Sequence, residues 1–406
     1  MSLETFDYQV RDRSGKVLRG RIDAQSPAAV AAKLKGMGYA PVSIAKANHG
    51  LNRELSIPGF GQRVKLKDLA ISARQFATMI NSGLSLLRAL SILAEQTDNP
   101  KLAEVYAEVR LAVEQGCSLS QAFGQHPKVF PPLMVNMVKA GETGGFLDEV
   151  LLQLALNFEA EVKLRSKIKS AMTYPVVVFA FAVLALTAML IFIVPVFADM
   201  FSQLGGQLPL PTRILVMMSD GLKTLLPFLI VLLIVAMILW RRYKNHPKVR
   251  NVVDPMKLKA PIFGKLFTKV AISRFARNLG TMVHSGVPIL QALDVVSDTT
   301  GNVVLTRAIV DVENSVRRGE SLAAPLAQHK VFPPMVVQMM AVGEDTGSLD
   351  AMLSKISDFY DAEVEATTEA LTSLIEPLMI AVVGGIVGAM IIALYMPIFK
   401  IYDLVQ

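Results

Sequence analysis

The chain has little cysteine, little charge and none of the usual catalytic patterns. Cys117 is the only cysteine in 406 residues, so no disulfide can close within it, which fits a reducing compartment. Charged residues make up 18%, below the roughly 25% of soluble domains. The five histidines (His49, His126, His246, His284, His329) lack metal-ligand spacing, and HExxH, paired-cysteine and GxSxG patterns are missing, which sets aside the common zinc and nucleophile chemistries. Gly141-Glu142-Thr143-Gly144-Gly145 has no lysine and hydroxyl residue after its last glycine, so a helix–helix turn is expected there rather than a phosphate loop. Gly264-Lys265 likewise reads as a turn. Met1 to Val10 contain Glu4 and Asp7 and no apolar stretch, so no cleaved signal peptide is expected.

What is abundant is apolar surface. Hydrophobic residues reach 52% and mean hydropathy is +0.44. Three uncharged runs, Pro175 to Ala198, Thr224 to Trp240 and Pro377 to Phe399, approach the roughly 20 residues that cross a bilayer core of about 30 Å. The second run is short alone, but Leu222 and Trp240 extend it, and spans are expected over 174–198, 222–240 and 377–399. Lys163, Arg165, Lys167 and Lys169 precede the first run, and Arg241, Arg242, Lys244, Lys248 and Arg250 follow the second. Residues 199–221 between them are expected to form a periplasmic loop, with both basic flanks cytoplasmic. The third run then leads outward to a short tail, 400–406. The net charge of +7 is explained by these flanks without nucleic acid as a partner. No ionisable residue lies inside the runs, which argues against a transport pathway.

The chain also repeats itself. Over 129–148 against 331–350, 11 of 20 positions are identical, including Val129-Phe130-Pro131-Pro132 with Val331-Phe332-Pro333-Pro334. Gly141, Glu142 and Gly145 recur as Gly343, Glu344 and Gly347. Pro175 and Pro195 recur as Pro377 and Pro397, so the repeat includes the following span. Upstream, Thr78 and Gly83 match Thr281 and Gly286 after a one-residue shift absorbed at Pro127. Apolar residues at 3- and 4-residue spacing (Leu86, Leu90, Leu93; Ile289, Leu290, Leu293) make each copy helical. The fold class is therefore mainly α, with three transmembrane helices and two duplicated cytoplasmic helical bundles, 62–171 and 241–375. A small α+β module is expected over 1–50 from alternating Phe6, Tyr8 and Val10, a turn at Ser14-Gly15, a helix over Pro27 to Met37 and a strand over Pro41 to Ile44. A linker covers 51–61. A catalytic role for Glu142 and Glu344 is weaker than a structural one in the turn, since no convergent pocket is apparent. Gly384, Gly385 and Gly388 form a small-residue face, and Gly384 and Gly388 can pack helices in the membrane.

The duplicated core, together with Met172-Thr173-Tyr174-Pro175, Leu208-Pro209-Leu210-Pro211-Thr212 and Ile375-Glu376-Pro377, resembles the type II secretion F / type IV pilus PilC platform family over Phe6 to Asp403. The N-terminal module, Lys257-Leu258-Lys259 and the segment Pro397 to Asp403 resemble the pilus branch more than the secretion branch. The resemblance implies a non-enzymatic, multi-pass protein of the bacterial inner membrane with a cytoplasmic N-terminus. It implies cytoplasmic hexameric ATPases, pilin or pseudopilin subunits and other inner-membrane assembly proteins as partners, and a homo-oligomer, most simply a dimer. Some secretion members hold calcium in the first bundle. Here Asp98 is kept, but Leu152 and Leu156 stand where carboxylates would be needed, so neither calcium nor another cofactor is expected.

Overall fold

The computed structural model describes residues 4–11, 17–24, 27–36, 40–46, 63–203, 208–244, 246–261 and 263–404. It divides into two units, Met1–Arg63 and Val64–Gln406. In the first, strands β1 (Glu4–Arg11), β2 (Val17–Ala24) and β3 (Ala40–Lys46) form an antiparallel sheet in the order β2-β1-β3, with helix α1 (Pro27–Gly36) between β2 and β3. Val30 and Leu34 of α1 are buried. The expected turn at Ser14-Gly15 and the linker over 51–61 lie outside the described residues.

The second unit is helical. The first repeat contains α2 (Leu66–Asn81), α3 (Leu86–Gln96), α4 (Pro100–Glu114), α5 (Leu119–Gly124) and α6 (Pro132–Gly144), and continues into α7 (Leu147–Ala188). A single π turn, Met189–Ile193, joins α7 to α8 (Val194–Gln203). Helix α9 (Leu210–Tyr243) returns, and α10 (Pro247–Lys259) leads to the second repeat. There α11 (Phe263–His284), α12 (Ile289–Thr299), α13 (Val303–Arg317), α14 (Ala323–Ala327), α15 (Pro334–Asp345) and α16 (Leu349–Leu404) retrace the first five helices and their long successor.

Three helical stretches, Leu147–Met200, Leu210–Tyr243 and Leu349–Pro397, are long and apolar enough to cross a membrane. The first and third are the closing helices of the two repeats, so each bundle runs into its span without a break. At 56 residues, α16 extends roughly 84 Å at about 1.5 Å per residue. The structure corrects the expected loop over 199–221. Helix α8 continues to Gln203 and α9 begins at Leu210, with Pro209 as its cap and Pro211 in its first turn, positions at which a missing amide costs little. The expected tail over 400–406 is helical as far as Leu404.

Both repeats bury their side chains in one continuous core. Phe76, Leu90, Tyr106, Phe123, Met137 and Leu154 from the first join Phe275, Leu293, Ile309, Val336, Met340 and Ile356 from the second. Phe130 and Phe332, from the repeated Phe-Pro-Pro, are each nearly fully buried. Phe130 stacks on Phe123 and Tyr106 at 4.1 and 5.7 Å, and Phe332 meets Phe275 at 5.2 Å. The prolines after them, Pro132 and Pro334, are the first residues of α6 and α15, pre-set for helix initiation.

A second, small apolar cluster joins the spans: Val194, Leu215, Met390, Ala393 and Leu394. Here the duplicated prolines acquire a role. Pro397 has no N–H for the carbonyl of Ala393, its acceptor in α-helical register. The Thr212 hydroxyl of α9 donates to that oxygen instead. Pro195 follows the π turn, so its missing amide orphans the carbonyl of Leu190, and the Ser219 hydroxyl donates to it at 2.6 Å. Thr212 and Ser219 are seven residues apart on one face of α9, with buried Leu215 between them. Thr212 and Ser219 are buried in the protein, where an unpaired carbonyl has no water to turn to, so these two hydroxyls tie α9 to both closing helices.

Interhelical hydrogen bonds in membranes contribute about 0.6 to 1.7 kcal/mol each. Thr212→Val should therefore lower the thermal unfolding midpoint in detergent. Pro397→Ala in the same chain should restore part of the loss, because alanine returns the missing amide to Ala393. Additive effects in the double variant would show that Thr212 and Pro397 are not coupled.

Candidate functional site

The repeated residues turn out to be structural joints, each with a distinct task. Gly141 sits in the last turn of α6, and a Cβ there would come within 3.0 Å of Val150 and 3.1 Å of the Leu147 backbone. Gly343 is confined in the same way by Leu349 and Met352, at 3.1 Å. These glycines let α6 press on α7, and α15 on α16. Gly145 and Gly347 have φ of 76° and 67°, the left-handed conformation that turns the chain between those helices. The expected helix–helix turn is thus centred on Gly145 and Gly347, while Gly141, Glu142, Gly343 and Glu344 are still helical.

Glu142 and Glu344 cap neighbouring helices. Glu142 accepts from the amides of Leu119 and Ser120 and from the Ser120 hydroxyl, at 2.5, 3.1 and 2.5 Å. Ser118 takes the amide of Gln121, so the first orphan donors of α5 are satisfied. Glu344 does the same for α14, accepting from Leu322 at 2.8 and 2.9 Å and from Ala323 at 3.3 Å. Each glutamate is committed to its own repeat, and the two form no acid–base pair. Gly264 is also corrected: it lies in the first turn of α11, and a Cβ there would meet the Leu258 carbonyl at 2.3 Å, so a close backbone approach accounts for it rather than a turn.

Ion pairs also follow the duplication. Arg74 of α2 holds Glu159 of α7 through two hydrogen bonds at 2.6 and 2.5 Å, and Arg277 of α11 pairs with Asp361 of α16 at the matching positions. The Arg74 hydrogen bond holds the Glu159 carboxyl below its usual range. Asp350 is held low chiefly by its hydrogen bond with His284, at 3.0 Å. Burial raises Tyr106, whose hydroxyl donates to Ser72 at 2.9 Å.

Where the repeats meet, the seam is polar at its edge. Asn157 donates to Asn278 and Thr281 at 3.2 and 3.1 Å, and Gln291 donates to Asn136 at 3.0 Å. Glu161, largely buried on α7, takes Arg274 at 2.7 Å and Arg165 at 2.6 Å. None of these seam residues stood out in the sequence. The available signal was that Asn157 aligns with Phe359 and Arg274 with Ile71, differences in an otherwise repeated frame. Beside the seam a cleft of about 480 Å³ is lined by Gln153, Asn157, Thr281, His284, Asp350 and Asp358. Among the described residues, no three His, Cys, Asp or Glu side chains converge as metal ligands. Leu152 packs on the core, while Leu156 is exposed.

In the membrane-spanning part, an apolar cleft of about 300 Å³ opens between α7 and α16, lined by Tyr174, Pro175, Val178, Glu376, Ile380 and Gly384. A Cβ added at Gly384, Gly385 or Gly388 would meet nothing within 4 Å. The glycine face therefore closes no contact inside the chain; α16 instead meets the other spans further along, through Met390, Ala393 and Leu394.

The arrangement defines an integral membrane protein built on a duplicated helical bundle, whose repeated residues set backbone joints. Residues 72–195 and 275–397 both match the family described as type II secretion system (T2SS), protein F, and residues 1–45 match that family's N-terminal domain. The chain belongs to this family, whose members are inner-membrane platform proteins of type IV pilus or type II secretion machines. Type IV pilus assembly protein PilC of Thermus thermophilus is 44% identical over 400 residues, 98% of each chain. Its counterpart in Myxococcus xanthus is 43% identical over 402 residues, 99% of this chain and 96% of that one. Type II secretion system protein F of Vibrio cholerae is 33% identical over 405 residues, 100% of each.

Two outcomes test the joints. Glu142→Ala and Glu344→Ala should each cost about 0.5–2 kcal/mol of stability, the usual loss for a helix cap, measured by thermal or denaturant unfolding. For Glu159 the folded pKa lies below the ordinary 4.5, so its stabilisation is present above that value and is lost as pH falls through the lower folded one. Unfolding midpoints should drop on acidification from about pH 5 to pH 3, and less so in Glu159→Gln.

Proposed function

We propose that the chain is the inner-membrane platform of a type IV pilus machine, coupling cytoplasmic hexameric ATPases to insertion and removal of pilin subunits. The observation that carries this is the 44% identity to a PilC protein across 98% of both chains. The energetic logic is independent of that similarity. Moving an apolar subunit out of a bilayer requires work, and the sequence has no nucleotide-binding loop. The work enters from a partner acting on the large water-facing surface, the two joined bundles. The basic flanks around Lys163 to Lys169 and Arg241 to Arg250 support a cytoplasmic location for those bundles and the N-terminus. A role as the F component of a secretion system is the second reading, supported by the full-length 33% identity to the Vibrio cholerae protein.

The test uses the intact protein in nanodiscs with a hexameric pilus motor from the same organism. Expected are no ATP hydrolysis by the protein alone, saturable binding of the motor and an altered turnover rate. Absence of both binding and altered turnover would remove the mechanism. Restored pilus assembly in a platform deletion strain, without restored secretion in an F deletion strain, separates the two readings. Orientation is checked with a membrane-impermeant thiol probe on spheroplasts: Gly206→Cys should label and Asn52→Cys should not.

A further inference from the structure

The contact between the two repeats is one-sided, and its unused halves are still exposed. The first repeat offers α6 and α7, through Asn136, Asn157 and Glu161. The second offers α11 and α12, through Arg274, Asn278, Thr281 and Gln291. Helices α7 and α16 also touch, with Lys167 paired to Glu365, but as equivalent helices they would meet in either arrangement and do not distinguish the two. A two-fold contact would also bring α15 and α16 against α2 and α3, yet among the described residues no hydrogen bond or ion pair links those elements. The inter-repeat interface is therefore heterologous, a face of one kind on a face of another, and it leaves one face of each kind without a mate.

We infer that the unmated faces bind each other between copies of this chain: α15 and α16 of one molecule dock on α2 and α3 of the next, repeating the contact made within each chain. The equivalent positions support the pairing. Asn157 and Arg274 of the internal contact correspond to Phe359 and Ile71 on the free faces, and Ala140 of α6 and Leu290 of α12, the other two helices of that contact, correspond to Val342 and Leu87. All four free-face residues are large, apolar and exposed, at 45, 51, 49 and 40%. Where the internal seam uses an amide and a guanidinium, the outer faces present carbon to water on both sides, as two surfaces that cover each other do. Polar partners are also conserved in kind: Gln338 and Arg88 stand where Asn136 and Gln291 pair, and Thr78 where Thr281 accepts.

The membrane fixes the arrangement. Both repeats feed a helix into the bilayer with matched prolines, Pro175 and Pro377, so the operation relating them keeps both bundles at one level. Applied again, it sets the next chain beside the first in the same membrane plane, which excludes a stack growing away from the bilayer. This contact stands whether or not the chain serves a pilus.

The experiment uses full-length chains carrying two different tags, both with Cys117→Ser, co-expressed and oxidised in membranes. Asn157 bonds Thr281 at 3.1 Å inside the chain, so Thr78→Cys on one chain and Phe359→Cys on the other should form a disulfide joining both tags. Either variant expressed alone should give at least tenfold less product. A product equally strong with Thr78→Cys alone or Phe359→Cys alone would indicate like faces meeting, and no product in any combination would mean the faces stay apart; both overturn the inference. Charge provides a second arm, because Ile71→Asp and Phe359→Asp change exposed residues and should leave the unfolding midpoint unchanged. Each variant alone should sediment as a monomer in detergent, and their mixture should recover a dimer, since each retains the face the other has lost. Variants that still oligomerise alone, or a mixture that stays monomeric, overturn it.

Discussion

A helix that begins in a water-facing core and ends in a bilayer must change its surroundings without changing its backbone. Both repeats close with such a helix, and the rest of the molecule is arranged around this constraint. In the core, α7 and α16 bury Val150, Leu154 and Phe158, and Leu353, Ile356 and Tyr360, on stripes at helical spacing. Past Pro175 and Pro377 the exposed positions become Val176, Phe179, Phe181 and Leu184, and Leu378, Ile380 and Val382, which suit lipid. Proline at the crossing removes a backbone donor at the very place where the solvent changes. A proline recurs near the far end, at Pro195 and Pro397, where packing against α9 shuts out water and the α9 hydroxyls take the orphaned carbonyls.

This division explains what the sequence disclosed. Features carried by glycine and proline repeat in the sequence because the backbone geometry they permit is the same in both copies: the Phe-Pro-Pro starts, the Gly145 and Gly347 turns, and the tight passages at Gly141 and Gly343. The spans were legible from length and apolarity alone. Partners distant in sequence were not. Glu142 reads as a possible acid until Leu119 and Ser120 are seen to donate to it, and nothing in local periodicity joins residue 142 to residue 119. The stretch over 199–221 looked like a loop because Asp199, Arg213 and Asp220 interrupt its apolar residues. The seven-residue spacing of Thr212 and Ser219 opposite two duplicated prolines was the available signal that it is a packed helix end.

Duplication followed by divergence also makes equivalent positions a record of surroundings. Arg74 with Glu159 and Arg277 with Asp361 keep one chemistry because each bridges its own bundle at matching points. Asn157 and Phe359 differ because one is inside a seam and the other is outside. The isolated pair tells little about stability, since surface ion pairs contribute only about 0–1 kcal/mol. Its retention says that the two bundles kept their internal form while their outer faces diverged.

The shared core restricts how force can pass through the chain. With Met137, Leu279, Met340 and Leu353 in one packed interior, displacing one bundle against the other would open close-packed contacts, and each large side chain exposed costs about 1.5–3 kcal/mol. A push on either bundle is thus borne by both, and among the described residues it can leave the core along α7 and α16, the two helices that run from core to span. At the far end these are tied together by α9 through Thr212 and Ser219. The π turn at Met189–Ile193 is the single interruption in α-helical register along either path, and such turns are where long helices kink. Under the proposed function, a motor acting on the water-facing side would therefore move two coupled levers of unequal stiffness, α16 continuous and α7 jointed. The apolar cleft between them, at Tyr174, Val178 and Ile380, is the volume that such a motion would change.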